Sequence, residues 1–190
     1  MQCSRRRFIG STLGLAGVGA TGGCLTPLTP GEPAFLSYKA VEVEWETDRG
    51  ERYVADLCWL WSDGRSRVFG WAPEEYPAIV RTATDVTVSA ETARALDERF
   101  AGVRFRVGLS RVGTTGLSMR ESDLGTRDVS RARFNRVQFG DRLRAVRTDS
   151  GVRIRSVRTG GHGDPADWSV TVGTKALTEQ FPDRQVPDPR

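Results

Sequence analysis

Residues 41–46 read Val-Glu-Val-Glu-Trp-Glu. Every second side chain is apolar and every other one is a carboxylate. A helix would scatter both kinds around its circumference, so only an extended chain turns this period into two distinct faces. Asp48-Arg49-Gly50 then supplies a turn, after which Tyr53, Ala55, Leu57, Trp59 and Trp61 fall on one face of a second strand. Ser62-Asp63-Gly64 turns the chain again toward Val68-Phe69. Three strands joined by tight turns read as an antiparallel meander. It carries Trp45, Trp59 and Trp61, side chains large enough to dominate the energetics of a core.

The period changes once, in the middle of the chain. Ser89 is a favourable helix cap, Glu91 lies in the first turn, Ala93, Leu96 and Phe100 share a face, Arg99 sits near the end and Gly102 can close the helix. Strand patterns resume at Val103, Phe105, Val107 and Leu109, with Arg104 and Arg106 pointing the other way. Residues 113–127 have no period and read as a loop. Further strands are expected over 133–139, 143–146, 152–157 and 168–172, with a helical turn over 174–181. The fold class expected is mainly β (α+β): an antiparallel sandwich or partly open barrel with one central helix.

Composition removes many chemistries. The chain has a single histidine, His162, so zinc sites with several histidines are excluded and any Ser-His-Asp arrangement would depend on that residue. Gly108-Leu109-Ser110-Arg111-Val112 fails as a nucleophile elbow at its last position, and there is no Walker loop and no G-x-G-x-x-G following a strand. Gly161-His162-Gly163-Asp164 leaves His162 and Asp164 as the candidate general base and its orienting carboxylate. A glycine-rich turn with an exposed histidine is the plainer reading. Glu42, Glu44 and Glu46 resemble paired catalytic acids only as any solvated strand face does. Cys58, between Leu57 and Trp59, reads as a small buried hydrophobe.

Charge is unevenly spread. Residues 41–98 hold 13 acidic and 6 basic side chains, whereas residues 101–160 hold 14 basic and 5 acidic ones. Arg104, Arg106, Arg142, Arg144, Arg153 and Arg155 are candidates for binding an anionic surface ligand through a basic sheet face. The competing reading is that the two halves neutralise each other within the fold. Only Lys39 and Lys175 are lysines and Asn135 is the one asparagine, a bias that a GC-rich genome produces unaided. The arginine excess is therefore no sign of a nucleic-acid partner.

The N-terminus has its own logic. Ser4-Arg5-Arg6-Arg7-Phe8-Ile9 precedes a short, glycine-diluted apolar run and then Thr21-Gly22-Gly23-Cys24. A charged start, an apolar middle too short to span a bilayer and small residues before a cleavage point are the parts of an export signal. The pair Arg5-Arg6 before Phe8-Ile9 resembles the twin-arginine (Tat) signal, and Thr21-Gly22-Gly23-Cys24 resembles a lipobox, with Thr21 where leucine is usual. Together they resemble the signals of Tat-exported lipoproteins of the halophilic-archaeal type, over residues 4–24 alone. The resemblance implies recognition by the Tat translocase through Arg5 and Arg6, lipid on Cys24, and residence on the extracytoplasmic face of the cell membrane. It implies no cofactor.

Removing Arg5, Arg6 and Arg7 lowers the formal net charge from +4 to +1, far from the acidic surfaces of salt-accumulating cells. With Cys3 in the signal and Cys24 lipidated, Cys58 has no partner for an internal disulfide. The organisation expected is a signal peptide over 1–23, a lipidated cysteine and Pro/Thr-rich spacer over 24–35, one β-rich domain over 36–181 and a disordered tail over 182–190. The function expected is that of a non-enzymatic binding or envelope-associated module. The alternative is an extracytoplasmic hydrolase using His162 and Asp164.

Overall fold

The computed structural model describes residues 31–115, 121–149 and 151–188; Arg5, Arg6, Cys24 and the expected spacer as far as Pro30 lie outside the described residues. Among the described residues ten strands run in chain order: β1 (Glu32–Glu46), β2 (Arg52–Ser62), β3 (Arg67–Pro73), β4 (Val80–Thr82), β5 (Asp85–Val86), β6 (Gly102–Arg111), β7 (Gly125–Val129), β8 (Asp141–Thr148), β9 (Gly151–Gly161) and β10 (Ser169–Lys175). Among the same residues three α-helices accompany them: α1 (Ala90–Arg99), α2 (Arg131–Arg136) and α3 (Leu177–Gln180). The fold is mainly β, as the alternation requires. Eight strands form one sheet that does not close into a barrel, and β4 and β5 form a small second one.

β1 is the centre of the large sheet. It pairs antiparallel with β2 from Tyr38↔Trp61 to Glu46↔Arg52 and, on its other edge, with β6 from Ala34↔Arg111 to Glu44↔Gly102. β3 continues outward from β2, β7 from β6, and β10 adds to β3 as the one parallel strand. The β8–β9 hairpin joins at the start of β1, where Glu32, Pro33 and Ala34 pair with Ala145, Arg144 and Leu143.

The apolar face of β1 is packed by helices. Val41, Val43 and Trp45 are buried in one cluster with Leu96 and Phe100 beside α1's face, Phe134 of α2, and Ile79, Val86 and Val88. Trp45 is 1% exposed and meets the rings of Tyr53, Phe100 and Phe181 at centroid distances of 5.7, 6.2 and 5.5 Å. The opposite face of the sheet carries a second cluster, Tyr38, Ala40, Trp59 and Trp61 with Phe69 and Trp71.

α1 starts where its cap places it: the Thr92 N–H donates to Ser89 Oγ at 2.9 Å. It ends with Phe100 as C-cap, and Gly102 opens β6 rather than closing the helix.

Several sequence expectations are corrected. Residues 133–139 are not a strand: Arg131–Arg136 is helical, capped by Ser130 Oγ, and buries Phe134. The expected 113–127 loop contains the start of β7 and the buried Leu124. The spacer reading stops short at its C-terminal end, since β1 begins at Glu32 and buries Ala34 and Phe35. Residues 182–188 lie against the domain rather than running free. Trp45 Nε1 donates to Gln185 O at 3.0 Å, Arg99 Nε donates to Pro187 O at 2.7 Å, and Val186 packs on the core.

Candidate functional site

One cleft follows from a mismatch in strand lengths. β3 pairs with β2 only from Trp59↔Trp71 to Ser62↔Val68, so the edge of β2 around Val54–Asp56 has no strand beside it. β10 continues along β3 to Lys175, and α3 then folds back. A cleft of about 590 Å³ opens between these elements, lined among others by Glu42, Asp56, Trp71, Arg106, Lys175 and Gln180. Its volume is in the range of small-molecule sites.

The floor is an ion-pair network built from the acidic face of β1 and the outward residues of β6. Arg106 Nη1 lies 2.8 Å from Glu42 Oε2, Arg104 Nη1 3.4 Å from Glu42 Oε1, and Arg104 Nη2 3.3 Å from Glu44 Oε2. Arg52 closes on Glu44 at 2.5 Å, and this hydrogen-bonded partner holds the Glu44 carboxyl below its ordinary range. Asp128 sits 3.4 Å from Arg106 Nε. Tyr38 Oη donates to Asp56 Oδ2 at 3.0 Å. Gln180 also lines the cleft; both its amide atoms are closed off from solvent and have no hydrogen-bond partner among the described residues. A buried amide with neither donor nor acceptor satisfied is costly.

The six arginines singled out by sequence divide. Arg104 and Arg106 are neutralised by Glu42, Glu44 and Asp128, which is the outcome expected if the two charge halves meet inside the fold. Arg142, Arg144, Arg153 and Arg155 lie on the β8–β9 hairpin and are exposed. Among the described residues none of these four has a carboxylate partner within ion-pair distance; Arg144 Nη1 donates to Gly31 O at 2.9 Å.

His162 and Asp164 are not joined by a hydrogen bond or ion pair. The His162 ring stacks on Phe35 with centroids 4.6 Å apart and planes 10° from parallel. Burial holds its pKa below the ordinary histidine value; a hydrogen bond to the Gly64 backbone opposes the shift and the Arg142 charge adds to it. Gly64 has φ +71°, and a Cβ there would meet the Phe35 ring at 2.3 Å, so this ring stack requires glycine at the β2–β3 turn. Asp164 instead organises its own turn, accepting from Ala166 N at 3.0 Å. Both residues thus have structural work that accounts for their positions.

Two buried groups carry more organisation than the sequence suggested. Lys39 is fully buried on the helix-covered face, and its Nζ donates to Val86 O at 2.6 Å, Val137 O at 2.8 Å and Gln138 Oε1 at 3.1 Å, 4.2 Å above the Phe134 ring. Desolvation pushes its pKa well below the ordinary lysine value, against the opposing charges of Asp141 and Asp85. Gln138 Oε1 also accepts from Val86 N, while Asn135 exchanges two bonds of 2.9 Å with the backbone of Val88. These side chains tie α2 and the residues after it to β1 and β5. Cys58 is buried as expected, with its thiol pushed up to about 12 by desolvation.

Among the described residues no group of three or more His, Cys, Asp or Glu side chains could hold a metal ion. No helix among them is long and apolar enough to cross a membrane. Compared with known proteins, the chain matches no family model, and no curated protein or solved structure matches it.

Proposed function

We propose that this chain is a lipoprotein exported by the Tat route, tethered outside the membrane through Cys24, and that its domain is a non-enzymatic binding module whose ligand occupies the cleft beside α3. The observation that carries the binding reading is the cleft of about 590 Å³, whose lining includes Gln180 with an amide that has no hydrogen-bond partner among the described residues. Glu42 and Arg106, also in the lining, already neutralise each other. Such a site favours a small, polar, largely uncharged molecule over a strongly charged one, because a charged ligand would have to break existing pairs.

The export reading rests on Arg5, Arg6 and the sequence Thr21-Gly22-Gly23-Cys24. Two lipid chains on one cysteine would suffice for anchorage, since each buried methylene contributes about 0.8 kcal/mol. Cell fractionation tests it. Cys24→Ala is expected to move the protein from the membrane fraction to the medium, and Arg5→Lys with Arg6→Lys to retain it inside. A Cys24→Ala protein that stays with the membrane would overturn the anchor.

A further inference from the structure

The β8–β9 hairpin pairs like charges without offsetting them. Arg142 lies directly across from Arg158, and Arg153 shares their outer face opposite Val146, as does Arg144 opposite Ser156. All four guanidinium side chains belong to exposed residues, and none has a carboxylate partner among the described residues. Facing like charges on neighbouring strands are destabilising, so an anion on this face would gain what the fold itself leaves unoffset. Guanidinium groups also match phosphate oxygens in paired hydrogen bonds.

The chain limits how far this face can lie from the tether. Gly31 lies against β8: its carbonyl accepts from Arg144 Nη1, and a Cβ on it would meet Ala145 N at 3.0 Å. From Cys24 to Gly31 is a step of seven residues, and even fully extended it spans no more than about 25 Å. Lipid on Cys24 therefore holds this basic face near the membrane.

We propose that the outer face of the β8–β9 hairpin, through Arg142, Arg144, Arg153 and Arg158, docks on the phosphates of anionic lipid headgroups in the membrane that carries the tether. This rests on the lipoprotein reading for its location, but not for its chemistry. A polybasic surface beside a lipid anchor is the second of the two signals that together make attachment firm.

The test uses the full chain carrying Cys24→Ala, so that no lipid contributes, and sedimentation with vesicles of phosphatidylcholine alone or of phosphatidylcholine and phosphatidylglycerol in equal parts. The anionic vesicles should be preferred, and added salt should abolish the preference. Arg142→Glu with Arg158→Glu should weaken that binding by about tenfold or more, whereas Arg65→Glu with Arg81→Glu should leave it unchanged. Residues 1–23 are common to all these proteins, so the difference reports the hairpin. Should the charge reversal lower the melting temperature, Arg142→Gln with Arg158→Gln gives the same direction with a smaller loss.

Equal binding to both vesicles, or equal effects of the two double reversals, would overturn the proposal. So would binding to a soluble acidic glycan but not to vesicles. The mass of Cys24 in the native protein separates the two ideas. Lipidated Cys24 without vesicle preference removes the docking face and keeps the anchor; unmodified Cys24 with charge-dependent vesicle binding does the reverse.

Discussion

At the scale of single residues, the interior is organised by one cation. Lys39 occupies a position on β1 that pairs with Leu60 and Val107, yet its ammonium is satisfied by three oxygens from two other segments. Lys39→Met would fill similar volume while removing the shared donor, and each orphaned buried acceptor costs about 1–3 kcal/mol. We expect a loss of about 2 kcal/mol or more in urea denaturation; an unchanged midpoint would show that the lysine is incidental.

His162 gives a pH signature instead. Because its folded pKa is depressed by burial, the unfolded chain binds the proton more readily. Its contribution is therefore complete above the unfolded value near 6.5 and is lost as pH falls from there toward the folded one. Stability measured between about pH 7 and 5 should fall with acid in the parent and fall less in His162→Gln; parallel curves would contradict the assignment.

At the scale of elements, legibility followed how locally each signal is written. α1 was readable because its cap, first-turn acid and apolar face all lie within residues 89–100. β1 and β6 were readable from alternation alone; β2 was placed as a strand, but a register shift beside Val41 puts Trp59 and Trp61 in a different cluster from Tyr53, Ala55 and Leu57. α2 was read as a strand because its six residues bury only Phe134 and are too few to display a helical period, while Val137 and Phe139 just after it alternate as a strand would. β7 was missed because Thr126, Arg127 and Asp128 are polar, and its pairing with β6 is set by tertiary contact.

The early start of β1 was hidden by Pro33, which sits where β8 begins to pair rather than in a loop. The cleft was not legible at all, because it arises from where β3 leaves β2 and where α3 returns. Glu42 and Arg106 were both named from sequence, but in separate roles; only the pairing of β1 with β6 makes them one ion pair. If the cleft is a binding site, a screen of neutral sugars, polyols and amino acids by thermal shift should find compounds that stabilise the parent protein and lose their effect in Gln180→Leu. Stabilising compounds that act equally on both proteins would place the ligand elsewhere.

At the scale of the whole molecule, charge is sorted into two populations. The acids of β1 and the arginines of β6 cancel across neighbouring strands, whereas the arginines of the β8–β9 hairpin, like those of α2, have no carboxylate partner among the described residues. The sequence displayed the imbalance between its halves but not this sorting, which depends on β6 lying next to β1 while β8–β9 lies at its end. Arrangement relative to a membrane then depends on where the chain is attached. An anchor at Cys24 together with the proposed docking of the arginine face would leave the cleft on a separate part of the sheet.

The most direct measurement is the mass of the N-terminal peptide from the protein isolated from its native membrane. We predict that it begins at Cys24 and carries the added mass of a lipid. An intact chain beginning at Met1 and recovered from the cytosolic fraction would contradict the account.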